Sequence, residues 1–348
     1  ETMLLSDFDV ASYYPNIMMV AGLIPKLGGN KGKVFLDEYQ KIYETRIAAK
    51  RAGDKKTANT LKIVLNGTFG KLGSIYCSFY SPDLLLAVTL TGQLNLLCLI
   101  YDLEKVKGVQ VRSANTDGVL VAYPPEARQQ VLDVFTKNNK RTGFEYEETP
   151  YAKYAAKDVN NYLAIGVDGK VKRKGLYGVS GISEADTPGG KNPTMEVCSN
   201  MAIEYLKTGV IDISQHKDMR DFVSVRNVKG GGIQYDRYVE VDDWELIEDH
   251  DSAQNVWQNG KGKQVKRKSR PKPYEVGQGG EPFGRVARWY MTTKDMPPLS
   301  YIDSGNRVPK TEGARLCLTL PKELPKDLNK QWYIDETLSI LADLGVSI

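Results

Sequence analysis

Histidine and cysteine are scarce in this sequence. Its 348 residues hold two histidines and four cysteines. Cys77, Cys98, Cys198 and Cys317 lie far apart, none in a Cys-x-x-Cys pair, with His216 and His250 remote from them. A structural zinc site is therefore not expected, and free thiols in a reducing compartment fit better. A long apolar run is also lacking. The longest candidate, Leu84 to Ile100, is broken by Thr89, Thr91, Gln93 and Asn95, short of the roughly 18 apolar residues that suggest a membrane span. No basic-then-apolar leader opens the sequence, so a cytoplasmic protein with no membrane partner is expected. Internal repeats are missing too.

What remains is a chain of ordinary composition, 41% hydrophobic and 26% charged, long enough for two or three cores. Its net charge of +4 is compatible with a polyanionic partner without requiring one. The pattern is mixed. Met3 to Asp9 reads as a strand, and Val10 to Met19 as a turn into a short helix. Helical spacing over Phe35 to Arg51, a break at Ala52-Gly53-Asp54 and a second helix over Lys55 to Phe69 predict a helical hairpin. Ser81-Pro82 opens a helix to about Glu104, apolar enough to be largely buried. Val109–Ser113 and Val119–Tyr123 read as a β-hairpin with Ala114 to Gly118 as its loop. A helix from Pro125 to about Asn138 follows, then extended segments to Tyr177 with a turn at Asp168-Gly169. Composition shifts between about residues 180 and 190. Beyond lie a helix over Thr194 to Lys207, an irregular basic run at Asn259 to Pro273, and a C-terminal helix over Trp332 to Leu344. The fold class expected is α+β.

The chemistry centres on two distant aspartates. Asp9 ends the first strand and Asp117 sits at the tip of the predicted hairpin. Phosphoryl transfer to a 3′-hydroxyl uses two divalent ions roughly 3.5–4 Å apart. Hard ions such as Mg²⁺ take oxygen ligands, so two bridging carboxylates are the minimal protein contribution. The Val10 carbonyl offers another oxygen. Taken singly, Asp9 reads as a helix cap and Asp117 as a turn former. Their company matters. Lys62, Asn66 and Phe69 fall at i, i+4 and i+7 on one helical face, offering a cation, an amide and a flat ring. Arg46 and Lys50, also i, i+4, lie on the preceding helix, so three cations can clamp a triphosphate. Alone, Arg46 and Lys50 would pass for a solvated basic face.

Three ordered segments carry a resemblance. Asp9-Val10-Ala11-Ser12-Tyr13-Tyr14-Pro15-Asn16-Ile17 resembles motif A of family B DNA polymerases, DxxSLYPSI. Lys62 to Gly70 resembles motif B, KxxxNxxYG, and Asn115-Thr116-Asp117 resembles motif C, DTD. Asp9, Lys62 and Asp117 are spaced by 53 and 55 positions, enough for a compact fingers hairpin and a palm helix. Lys157-Asp158-Val159-Asn160-Asn161-Tyr162 with Lys172-Arg173-Lys174-Gly175 looks like the element that grips the primer–template minor groove. Arg285 to Tyr290 and Ser304 to Ala314 look like the thumb of phage-type members.

The resemblance implies a right-hand polymerase: palm at 1–25 and 73–185, fingers at 26–72, thumb at 186–348. It implies Asp9 and Asp117 as catalytic metal ligands with Val10, for two Mg²⁺ ions or Mn²⁺. Ser12, Tyr13, Tyr14, Arg46, Lys50, Lys62, Asn66 and Phe69 would meet the nucleotide, with Tyr14 as the steric gate against a 2′-hydroxyl. Gly70, Thr116, Lys157, Tyr162, Lys172, Arg173 and Lys174 would contact DNA. The partners implied are primer–template DNA and dNTPs, and a viral origin would put the enzyme in the host cytoplasm. Three positions depart from the pattern: Asn115 replaces an aspartate, Phe69 a tyrosine and Gly118 a serine.

No second acidic site precedes Asp9, so any exonuclease is expected upstream in a longer protein or on a partner chain. The short spacings also favour an ordinary nucleic-acid primer over a protein primer. A rival reading, motivated by Asn115 and the abrupt start, is a catalytically silent nucleic-acid-binding subunit of a split polymerase.

Overall fold

The structure is a computed structural model. It describes residues 3–25, 27, 31–178, 194–228, 232–235, 255–258, 264–267, 286–301, 304, 306–317 and 320–348. The chain divides into two compact units, Glu1–Tyr154 with Ala164–Lys170, and Ala155–Leu163 with Val171–Ile348.

The first unit is built on strands β1 (Leu4–Val10), β2 (Gln110–Asn115), β3 (Gly118–Tyr123) and β4 (Tyr146–Asp158), in the order β2-β3-β1-β4. β1 pairs antiparallel with both neighbours. Side chains alternate along a strand, so Ser6, Phe8 and Val10 are buried while Asp7 and Asp9 lie on the other face. Against the buried face pack helices α1 (Tyr13–Val20), α4 (Pro82–Glu104) and α5 (Arg128–Thr142), with Phe8, Ile17, Val88, Leu99, Val121 and Phe135 in one core. The Phe8 and Phe135 rings stack at 3.9 Å.

Between α1 and α4 the chain makes the expected helical hairpin, α2 (Lys31–Arg51) and α3 (Lys55–Lys71). Gly53 turns it with φ +77°, a value glycine adopts without steric cost. The Asp54 carboxylate then caps α3 by accepting from the Thr57 amide at 3.0 Å. The buried Tyr39 hydroxyl donates to the Leu65 carbonyl at 2.8 Å and pins the two helices together.

As expected, Ser81 stands at the N-cap of α4 and Pro82 opens it, although the Ser81 side chain makes no cap bond. One expectation needs correcting: α4 is not largely buried. Leu84, Val88, Leu96, Leu99 and Leu103 enter the core, while Leu86, Leu90, Leu94, Leu97 and Tyr101 stay exposed. Composition was uniform around the helix, so it could not tell one side from the other. Among the described residues, α4 alone is long and apolar enough to cross a membrane.

The second unit holds β6 (Val171–Lys174), which follows β5 (Asn161–Gly166), and helices α6 (Glu196–Thr208), α7 (Met219–Phe222) and α8 (Lys330–Asp343). β7 (Ser224–Asn227) and β8 (Ile233–Tyr235) are followed by β9 (Asn255–Gln258), β10 (Gln264–Arg267), β11 (Val286–Met291), β12 (Leu299–Tyr301) and β13 (Ala314–Leu316). They form a sheet β13-β11-β7 and two-stranded pairs β12-β8 and β10-β9. Tyr333 on α8 is buried at the centre, its hydroxyl donating to the Phe222 carbonyl at 2.8 Å and accepting from the Met291 amide at 2.9 Å. Of the basic run expected to be irregular, Gln264–Arg267 is a strand paired with Asn255–Gln258. The rest of that run, and Arg285, lie outside the described residues.

Candidate active site

The β2–β3 connection is tighter than the sequence suggested. The strands run to Asn115 and resume at Gly118, which pair with each other, so Thr116 and Asp117 alone make the turn. The Asp117 amide is directed at the Asn115 carbonyl, closing a γ-turn around Thr116 at φ +44°. Ser12, at the start of α1, is also left-handed, with φ +55°. Non-glycine residues held at positive φ are strained and concentrate at functional sites. Here two of them flank the two aspartates.

Strand register brings those aspartates together. Asp9 pairs with Gly118, the residue after Asp117, and the Val10 amide donates to the Asp117 carbonyl at 2.8 Å. A methyl group added at Gly118 would lie 2.0 Å from Asp9 Oδ1, so the Asp9 carboxylate rests directly over that backbone. The serine usual at this position in the resembled family would have to displace it. Glycine there suits this placement of Asp9.

Two carboxylates offer hard oxygens, the donor set that Mg²⁺ or Mn²⁺ prefers. Among the described residues no group of three or more His, Cys, Asp or Glu could hold a metal ion by itself. A two-carboxylate site fits such ions only if bound phosphates and a primer oxygen complete the shell, as two-metal nucleotidyl transfer requires. The Asn115 side-chain oxygen accepts from the Thr116 hydroxyl at 2.9 Å.

Facing residues come from α1, α2 and α3. Tyr14 and Phe69 stack at 4.4 Å between ring centroids, joining the first and second sequence motifs. Burial, and then the negative charge of Asp117, raise the Tyr14 phenol above its usual pKa. Tyr13 has gone the other way, into the core. Its hydroxyl donates to the Gly92 carbonyl at 2.7 Å and accepts from the Asn95 amide at 3.1 Å, so its side chain is held in the core.

Arg46 is 7% exposed, its Nη1 bonded to the Ser12 hydroxyl, and its buried Nε has no hydrogen-bond partner. A buried guanidinium with a donor unsatisfied by protein atoms leaves room for a water or an ion as its partner. Lys50 is half exposed and sits 2.5 Å from the Glu147 carboxylate. Glu147 is the register partner of Asp9 on β4, on the same face of the sheet. Reading the sequence alone missed it, because only strand register shows that it neighbours Asp9. Lys62 and Asn66 are exposed on α3.

The expected DNA contacts fall in both units. Gly70 and Thr116 are exposed in the first. In the second, Lys157 is 2.6 Å from Asp343, whose carboxylate raises the lysine pKa. Lys172 lies over the buried Tyr162 ring at 5.9 Å, and Arg173 donates to the Asn200 side chain at 2.9 Å. Lys174 is exposed.

No protein-family profile matches the chain. Over 80 residues it is 32% identical to DNA polymerase II of Escherichia coli, a stretch covering 23% of this chain and 10% of that protein. Among solved structures it is similar to the family B DNA polymerase of the hyperthermophilic archaeon Pyrobaculum calidifontis. That match has a TM-score of 0.49 and 15% identity, over 99% of this chain and 45% of the other. The chain thus spans a tenth of the first and under half of the second. The sequence similarity is confined to that 80-residue stretch, and the mixed α and β fold is read from the chain's own elements.

Proposed function

We propose that this chain is the polymerising portion of a family B DNA polymerase of the phage type, extending a primer 3′ end with dNTPs. The observation that supports this most is the Asp9 carboxylate lying over Gly118, beside Asp117, with the orphaned Nε of Arg46 buried nearby in the same unit. Asp9, Asp117 and the Val10 carbonyl would hold two Mg²⁺ ions, or Mn²⁺. Such ions activate the primer hydroxyl and neutralise charge building on the phosphates. Arg46, Lys50 and Lys62 would bind the triphosphate. Lys50 must first exchange Glu147 for a phosphate oxygen. The Tyr14–Phe69 stack would floor the sugar and base, with Asn66 and the Ser12 hydroxyl positioning the nucleotide. In this reading residues 1–25 and 73–185 are palm, 26–72 fingers and 186–348 thumb. Lys157, Tyr162, Lys172, Arg173 and Lys174, with Gly70 and Thr116, would grip the duplex without reading its sequence. Proofreading would belong to another segment or chain, and a viral source would place the enzyme in its host's cytoplasm.

Asn115, an amide where the resembled motif carries an aspartate, favours a second reading as a silent duplex-binding subunit. Primer extension with dNTPs and Mg²⁺ separates the two. Extension by the wild type, reduced at least about 100-fold in Asp9→Asn and in Asp117→Asn, supports the enzyme. Duplex binding without extension supports the silent subunit. Equal extension by wild type and both variants refutes the site.

A further inference from the structure

Helix α4 buries one side and leaves the other bare. At about 100° per residue, Leu86, Leu90, Leu94, Leu97 and Tyr101 fall within an arc of about 80°, opposite the buried Leu84, Val88, Leu99 and Leu103. The five side chains are 45% to 65% exposed. Together they leave on the order of 500 Å² of apolar surface, near the upper end for the largest patch on a monomer and over half of one side of a standard interface.

The stripe is close to symmetric about its own middle. Leu86 and Tyr101 lie eight and seven positions from Leu94, and Leu90 and Leu97 lie four and three. Asp83 in the first turn and Lys105 just past the helix end are each eleven positions away. A segment with this spacing is complementary to its own reverse, which is what a two-fold interface demands.

We propose that the exposed face of α4 docks a second copy of this chain, the two helices antiparallel about a two-fold axis at Leu94. Leu94 meets its own equivalent, Leu90 meets the partner subunit's Leu97, and Leu86 meets the partner subunit's Tyr101. Asp83 comes beside the partner's Lys105 at both ends, and each helix N-terminus lies beside a C-terminus of opposite partial charge. Lys105 lies 3.9 Å from the centre of the Tyr101 ring and 2.9 Å from Asp102 of its own helix, a surface pair it would share with the partner's Asp83. Glu104 falls at the opposite edge of the stripe from Lys105 and does not oppose Asp83 directly. The proposal is independent of the polymerase reading, because it uses none of that site's residues.

Sedimentation velocity on the chain at micromolar concentrations tests it, with Leu94→Glu and Leu90→Glu as variants and far-UV circular dichroism to confirm that they fold. A wild-type dimer that becomes a folded monomer in either variant is expected. In a Cys98→Ser background, Leu94→Cys is expected to oxidise to a covalent dimer while Leu86→Cys does not, since only position 94 faces itself. A wild-type monomer overturns the proposal, as does a dimer that survives Leu94→Glu or cross-links through Leu86→Cys. Flotation of the wild type with anionic phospholipid vesicles, lost in Leu94→Glu, would assign the stripe to a membrane surface and overturn it equally.

Discussion

Replacing Arg46 by methionine should weaken triphosphate binding while leaving the fold as stable as before, or more so. The guanidinium is buried at the α2 face behind Ser12, with one hydrogen bond to that hydroxyl and an Nε that has no partner. An unsatisfied buried donor costs about 1–3 kcal/mol. Exchanging a buried charge for an apolar side chain of similar volume is typically neutral, or stabilising by about 1–4 kcal/mol. The loss of the Ser12 bond, about 1 kcal/mol, offsets part of that gain. Thermal denaturation of Arg46→Met is therefore expected within a few degrees of wild type or above it. Binding should move much further. A charge-assisted hydrogen bond to phosphate is worth about 1.5–3 kcal/mol, so the KM for dNTP in primer extension should rise about 10- to 150-fold. Arg46→Lys keeps the charge but loses the planar fork, and should fall between the two. An Arg46→Met variant that melts well below wild type with its KM unchanged would refute this and make Arg46 a structural residue.

Other substitutions test the frame around the site. Glu148 accepts from Arg128 at 2.8 and 2.9 Å and from the buried Ser6 at 2.7 Å, and Arg128 first, then Ser6, lower its pKa. A depressed carboxylate stabilises fully above its unfolded value near 4.5 and loses that stabilisation as pH falls through its folded one. Glu148→Gln should therefore cost about 1–2 kcal/mol at neutral pH in urea denaturation and flatten the acid limb below about pH 4.5. In the second unit the Asp221 carboxylate, 3.9 Å from His216 Nδ1, outweighs burial and raises the His216 pKa above 6.5. Its contribution is complete below pH 6.5 and disappears as pH rises through the raised value, so melting temperature should decline with pH above 6.5 in wild type and not in His216→Gln. A side chain at Gly92 would start 3.0 Å from Tyr13 Cε1 and 3.2 Å from Ile17 Cδ1, so Gly92→Val should destabilise by about 1–3 kcal/mol in chemical denaturation.

Long periodic elements were legible before the structure. The hairpin helices, α4 and the first strand lie within a few residues of where spacing, Asp54 and Pro82 put them. What failed was whatever depends on partners. Tyr13 and Tyr14 are adjacent aromatics that residue type and spacing alone do not separate, yet one bonds to Gly92 in the core and the other stacks on Phe69. The Asn115–Gly118 turn looked like a five-residue loop because glycine and asparagine mark turns without giving strand register. Glu147 was invisible for the same reason. The strands β7 to β13, three to six residues each, are too short for period-two alternation to stand out.

The most direct measurement is a Mn²⁺ titration, followed by the electron paramagnetic resonance signal of the free ion, with the chain bound to primer–template and a non-hydrolysable dNTP. Wild type should take up about two ions per complex, and Asp9→Asn and Asp117→Asn should each lose binding while still melting as folded proteins. Uptake unchanged in both variants would mean that the two carboxylates do not share metal ions, which would contradict the account at its base.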